Sequence, residues 1–199
     1  YGIHYGGSMM LLLDGELDRS ELMDTPMAIV AHEFLHNWNG EALEPAGSGF
    51  LWFTEGVTSF CSYYVLREAR IITTTQYEAR RLAIYERYHA NPYASKVSIG
   101  EAANNDMRDK NMVSLLYDGG FLAARALDER LRAESGGTVT LVEVLKRMYG
   151  DAHGGGKVDE TSFLAAAREL TGSDLSGFLH DLVHSPAPKS LALASSSLE

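Results

Sequence analysis

Over most of this 199-residue chain, apolar residues fall in stretches of helical length, cut by glycine, proline and capping residues. The start differs. Tyr1 to Leu13 holds Gly6 and Gly7, then Met9-Met10-Leu11-Leu12-Leu13, and ends at Asp14-Gly15; this predicts a buried strand followed by a turn. Asp24-Thr25-Pro26 signals a helix start, with Thr25 able to cap and Pro26 suited to the first helical position. That helix is expected from 26 to about 38, followed by a loop over 40–49. An aromatic-rich helix is expected over 51–70. Thr73-Thr74-Thr75 caps a third, to about His89, closed by Asn91-Pro92. Residues 93–110 read as irregular. Further helices are expected over 112–134, 141–149, 159–170 and 174–184, with Gly154-Gly155-Gly156 a hinge-like connector. From Ser185 the composition turns to Pro, Ala and Ser. The expected fold is mainly α (α+β): a helical bundle with a short N-terminal β segment over 1–188, and a disordered tail or vector remnant over 189–199.

Composition narrows the class. The 45% hydrophobic and 22% charged content is that of a soluble globular protein. A net charge of −10 argues against nucleic acid or an anionic membrane surface as the main partner. No run approaches the roughly 18 apolar residues of a membrane span. The single cysteine, Cys61, excludes an internal disulfide and leaves the redox compartment unread. The chain begins at Tyr1 rather than Met, which suggests a segment of a longer protein, so localisation stays open.

Chemistry concentrates in the first helix. His32-Glu33-Phe34-Leu35-His36 sets two imidazoles about one turn apart on one face, where they can grip one metal ion. Glu33 projects to a neighbouring face and can reach a water on that metal. A catalytic zinc site takes three protein ligands and keeps one position open. A third histidine in the extended pattern would need Gly at 39 and His at 42, but Asn39 and Ala42 stand there. Glu41 and Glu44 lie among turn formers and read as solvated acids. Glu55, in Leu51-Trp52-Phe53-Thr54-Glu55-Gly56, sits in an apolar and aromatic helix where an unpaired carboxylate is costly. Gly56 beside it allows close helix approach. Glu55 is the expected third ligand, and the pattern points to a zinc peptidase. The bland alternative is a solvated helix face or a core histidine pair.

These residues resemble the gluzincin, thermolysin-like zinc metallopeptidases. The segments His32-Glu33-Phe34-Leu35-His36-Asn37-Trp38-Asn39 and Trp52-Phe53-Thr54-Glu55-Gly56 are most similar to the glycyl aminopeptidase family, with the leucine aminopeptidase and leukotriene hydrolase family second. Tyr117-Asp118-Gly119-Gly120 resembles that group's Tyr-Glu-Lys-Gly stretch. The resemblance implies Zn²⁺ on His32, His36 and Glu55, Glu33 as general base, and Tyr117 stabilising the transition state, with Gly119 and Gly120 leaving room for substrate. Asn37 and Ser59 are the candidate partners that orient the histidines. The implied substrate is a peptide, with an upstream β domain and a downstream PDZ-like domain in the full-length protein. One departure bears on specificity: Met9 follows Gly6-Gly7-Ser8 where such aminopeptidases carry the glutamate that holds the substrate's free amine. An endopeptidase, or a peptide-binding scaffold without turnover, are the alternatives.

The remaining reactive residues read blandly. Gly47-Ser48-Gly49 lacks the strand-to-helix elbow of a nucleophilic serine, and Cys61 reads as a small core residue. His4, His89, His153, His180 and His184 read as scattered, without ligand spacing. The Gly154-Gly155-Gly156 run lacks the strand and lysine of a phosphate loop.

Overall fold

The computed structural model describes residues 2–5, 7–12, 25–105, 108–152 and 155–193. Its N-terminal part is a β-hairpin, β1 (Gly2–Tyr5) against β2 (Ser8–Leu11), with Gly2 opposite Leu11. The expected single buried strand is therefore two short strands. Gly7 turns between them at a φ of 71°, a left-handed conformation that suits glycine. Met9 and Met10 stand exposed rather than buried. The expected Asp14-Gly15 turn, Asp24, and the side chains of His4 and Thr25 lie outside the described residues, as do Gly6 and His153-Gly154.

Helix α1 (Thr25–Leu35) ends earlier than its apolar pattern suggests. Trp38 and Asn39 both return their N–H groups to the Leu35 carbonyl, and Gly40, at a φ of 139°, reverses the chain. The following segment is not wholly loop. Strand β3 (Leu43–Pro45) pairs in parallel with β4 (Gly156–Val158), and a 3₁₀ turn spans Ser48–Phe50. The second predicted helix is present but begins as a π-helical turn, Trp52–Val57, before α2 (Thr58–Glu68).

Helix α3 (Thr74–Ala90) starts at a Thr73–Gln76 capping box, as the threonine run predicts. Residues 93–110, expected to be irregular, contain α4 (Ile99–Ala103), nucleated by a Ser98–Glu101 box inside an otherwise polar stretch. Helix α5 (Lys110–Glu134) runs through the centre. Around it stand α6 (Leu141–Asp151), α7 (Glu160–Thr171), α8 (Ser176–His184) and α9 (Lys189–Leu193). The Asp159 carboxylate caps α7, and Gly172 stops it at a φ of 75°.

Helix α9 corrects the expectation of a disordered tail from 189. Leu191 is buried, and Ser190 donates from its N–H and Oγ to Asp181 on α8. The putty of Pro, Ala and Ser thus gains a helix through tertiary contact; residues 194–199 lie outside the described set. The architecture is the mainly α fold expected, with α5 packed against the π turn, α2, α3, α4 and the four later helices. The core is continuous around Trp52, Phe53, Phe121, Phe163, Leu115 and Leu127. At about 25 cal/mol per Å² of apolar surface removed from water, burial of this kind is what holds the helices together.

Candidate active site

The site forms where the last turn of α1, the π turn and the first half of α5 meet. His32, in the last turn of α1, and His36, one residue past its end, stand one turn apart, their rings edge to face at 4.6 Å and their Nε2 atoms 2.9 Å apart. The Glu55 Oε2 atom lies 3.2 Å from His32 Nε2 and 3.6 Å from His36 Nε2. The ligand atoms of the three residues all lie within 4.8 Å of one another. The structure thus brings His32, His36 and Glu55 together as the sequence predicts.

The π turn is what presents Glu55. Trp52 and Phe53 anchor it in the core, Phe53 stacked on Phe50 at 4.4 Å and the Trp52 indole N–H donating to Glu160. On its far side Gly56 lies against Gly120 of α5, the close approach that Gly56 predicts. The same contact overturns the expectation for Gly119 and Gly120. Gly120 packs on the π turn and Gly119 on Ile99 and Tyr88, so both serve helix packing rather than substrate space.

Each imidazole is oriented from behind. The His36 Nδ1–H donates to the Asn39 carbonyl at 2.9 Å; a carbonyl only accepts, so the neutral ring turns an Nε2 lone pair toward the cluster. His32 Nδ1 meets the Ser59 hydroxyl at 3.3 Å. Ser59 is therefore an orienting partner as expected. Asn37 is not: it is turned away, donating to the Phe34 carbonyl. Asn39, which the sequence offered only as a missing glycine, takes that place.

Glu33 is buried beside His32, with the backbone of β1 above it. A β-carbon on Gly2 would lie 2.6 Å from both Cγ and Oε1 of Glu33. Tyr117 of α5 stacks over the His32 ring at 5.9 Å. His32, Glu33, His36, Glu41, Glu55 and Tyr117 share the wall of one cleft of about 520 Å³. Glu41, read from sequence as a solvated acid, thus stands at the cleft, where it accepts the Gly7 N–H. A smaller, mostly apolar recess of about 280 Å³ opens beside Glu33 between Ala28, Ile29 and Tyr63.

The electrostatics suit a cation. Burial alone would raise the Glu55 pKa, but hydrogen bonds with His32 and His36 outweigh it and hold the carboxyl well below its usual range. For His36, burial works downward, yet the bond and charge of Glu55 and the Asn39 carbonyl raise it overall. Burial, then the charge of Glu55, pushes the Tyr117 phenol up, so it keeps the proton it would donate. Two imidazole Nε2 atoms and a carboxylate oxygen are the donor set of a two-histidine, one-glutamate zinc site, and the residues fit that ion.

Elsewhere, His180 and His184 are not scattered: they stand one turn apart on α8, rings 5.3 Å apart, with His184 Nε2 at 2.9 Å from Glu160. His89 packs on Tyr85, and Cys61 is buried in the core as expected. Ser48 donates to Asn104 within its 3₁₀ turn.

The sequence profile of the M61 glycyl aminopeptidase family matches residues 25–122, a stretch that holds His32, Glu33, His36, Glu55 and Tyr117. The match supports a gluzincin-type metallopeptidase nearest the glycyl aminopeptidase family. Among solved structures, four chains match. One is an aminopeptidase N family protein from Idiomarina loihiensis, 22% identical, with a TM-score of 0.76 over 94% of this chain and 36% of that one. The chain therefore spans about a third of the length of that solved relative. No curated protein matches.

Proposed function

We propose that this gluzincin domain hydrolyses peptide bonds with zinc held by His32, His36 and Glu55, and that it acts as an aminopeptidase. The observation that carries the reading is the convergence of two Nε2 atoms and a carboxylate oxygen within 4.8 Å, beside the buried Glu33. Bound zinc supplies Lewis acidity, polarising a carbonyl and acidifying water to a pKa of about 7. Glu33 takes a proton from the attacking water as its oxygen bonds to the carbonyl carbon, and returns that proton to the amine as the C–N bond breaks. The Tyr117 hydroxyl donates to the developing oxyanion from its place over His32. Ser59 and the Asn39 carbonyl hold the two rings in register. The partners expected in the full-length protein are an upstream β domain and a downstream PDZ-like domain.

Met9 supports a second reading, an endopeptidase without recognition of a free amine. It is exposed and lines an apolar groove with Phe34 and Trp38, outside the metal cleft. Zinc content and peptide hydrolysis, measured on the full-length protein and its Glu33→Gln variant, test the proposal. The wild type should bind zinc and cleave, while Glu33→Gln keeps zinc and loses about 10²–10⁴-fold in turnover. Zinc retained by a wild type that cleaves nothing would make the domain a scaffold. Comparing free with acetylated peptides separates the two catalytic readings: equal rates would favour the endopeptidase.

A further inference from the structure

Asn39 supplies no ligand atom, yet it touches both elements that do. We propose that Asn39 is a positioning residue, a clamp that sets the Glu55 turn against the His36 ring and thereby sets the affinity of the site for zinc. The inference rests on the zinc reading of the three ligands.

The clamp has two jaws on one residue. Its main-chain carbonyl accepts from His36 Nδ1 at 2.9 Å. Its side-chain Nδ2 donates to the carbonyls of Phe53 at 3.1 Å and Thr54 at 3.4 Å, and to the Thr58 hydroxyl at 3.0 Å. Phe53 and Thr54 are the two residues before Glu55. A displacement of the π turn is therefore transmitted to the residue that orients His36. The only links between jaws are the few covalent bonds of one side chain, which leaves little slack.

Two observations separate this from ordinary core packing. Asn39 is 5% exposed, and its Oδ1 is the buried side-chain atom without a hydrogen-bond partner among the described residues. A buried, unmatched acceptor is a standing cost. An apolar residue of the same volume would avoid it but could not donate to the Glu55 turn. A leucine at 39 keeps the main-chain carbonyl on His36 and removes only the second jaw, so its effect on metal runs through Glu55.

The test is zinc affinity, measured by chelator competition on folded protein, without reference to turnover. Asn39→Leu should bind zinc 10–100-fold more weakly, the range for lost outer partners of metal ligands. Glu55→Gln should weaken binding too, and the double variant should lose little beyond Glu55→Gln alone, since both changes act on one ligand. Circular dichroism and the melting temperature of the metal-free proteins check that each is folded; if Asn39→Leu is not, Thr58→Val and Asn39→Ser take its place in the same cycle. Wild-type zinc affinity in a folded position-39 variant, or full additivity with Glu55→Gln, would overturn the proposal. A wild type that binds no zinc would instead overturn the zinc reading on which it rests.

Discussion

Gly56 and Gly120 meet backbone to backbone: a β-carbon on Gly56 would fall 2.4 Å from the Gly120 Cα, and one on Gly120 would fall 2.7 Å from the Gly56 Cα. This contact joins the turn that carries Glu55 to the helix that carries Tyr117. Neither backbone can step aside as a flexible side chain could. Gly120→Ala should therefore cost about 1–3 kcal/mol by overpacking and lower the melting temperature. It should also weaken zinc binding, because the π turn has to move. An unchanged melting temperature would show that the two helices are less tightly coupled than this spacing implies.

Gly2 stands over Glu33 as Gly120 stands over Gly56, but here the neighbour is a side chain. A methyl group at position 2 has to displace the Glu33 carboxylate or Ile29 Cγ2, which lies at 2.8 Å. We expect Gly2→Ala to reduce kcat with zinc affinity close to wild type, since Glu33 is not a ligand. Steady-state kinetics beside a zinc titration check this; equal loss in both would point to a general disturbance of the site.

Tyr117→Phe removes one hydroxyl and keeps the ring that covers His32. If that hydroxyl donates to the oxyanion, kcat should fall by about 10²–10³-fold, the value of one such donor. The KM and the zinc content should change little. A variant with wild-type kcat would reduce Tyr117 to a packing residue.

Cys61 should be silent toward thiol reagents in the folded protein. Burial, with the charge of Asp128 second, pushes its thiol up to about 12, so the reactive thiolate is scarce at neutral pH. Labelling by a disulfide reagent should be slow in native buffer and fast in denaturant. Rapid native labelling would mean that the α2 region opens readily.

Asp159 gives a pH-dependent term in stability. The Ser162 N–H, then its hydroxyl, hold the Asp159 carboxyl below its ordinary 3.8. Its folded pKa is depressed, so its contribution is fully present above 3.8 and is lost as pH falls through the lower folded value. Asp159→Ala should cost about 1 kcal/mol at pH 7, as capping residues do. The gap in melting temperature between wild type and variant should close in acid. A gap that persists below pH 2 would assign the effect to something other than the charged cap.

The helical pattern and the two-histidine turn were legible in the chain because both depend on local physics. A cap such as Thr73 acts within one turn, and the His32–His36 spacing needs only helical periodicity. Glu55 was legible for a different reason: a carboxylate among Trp52, Phe53 and Val57 demands a partner. The π turn was not legible, because six residues of aromatic and small character read as ordinary helix until Gly56 is pressed against Gly120. Asn39 and Gly2 were hidden for the same cause. Their neighbours, Phe53, Thr54 and Thr58 for one and Glu33 for the other, lie far along the chain, and no local rule relates them. Helix α9 also formed against expectation, through Leu191 and Asp181 rather than through its own composition. Sequence alone determined which groups could bind an ion; tertiary packing decided their distances, the tautomer of His36 and which backbone holds them, because ligand atoms converge only after distant segments have met.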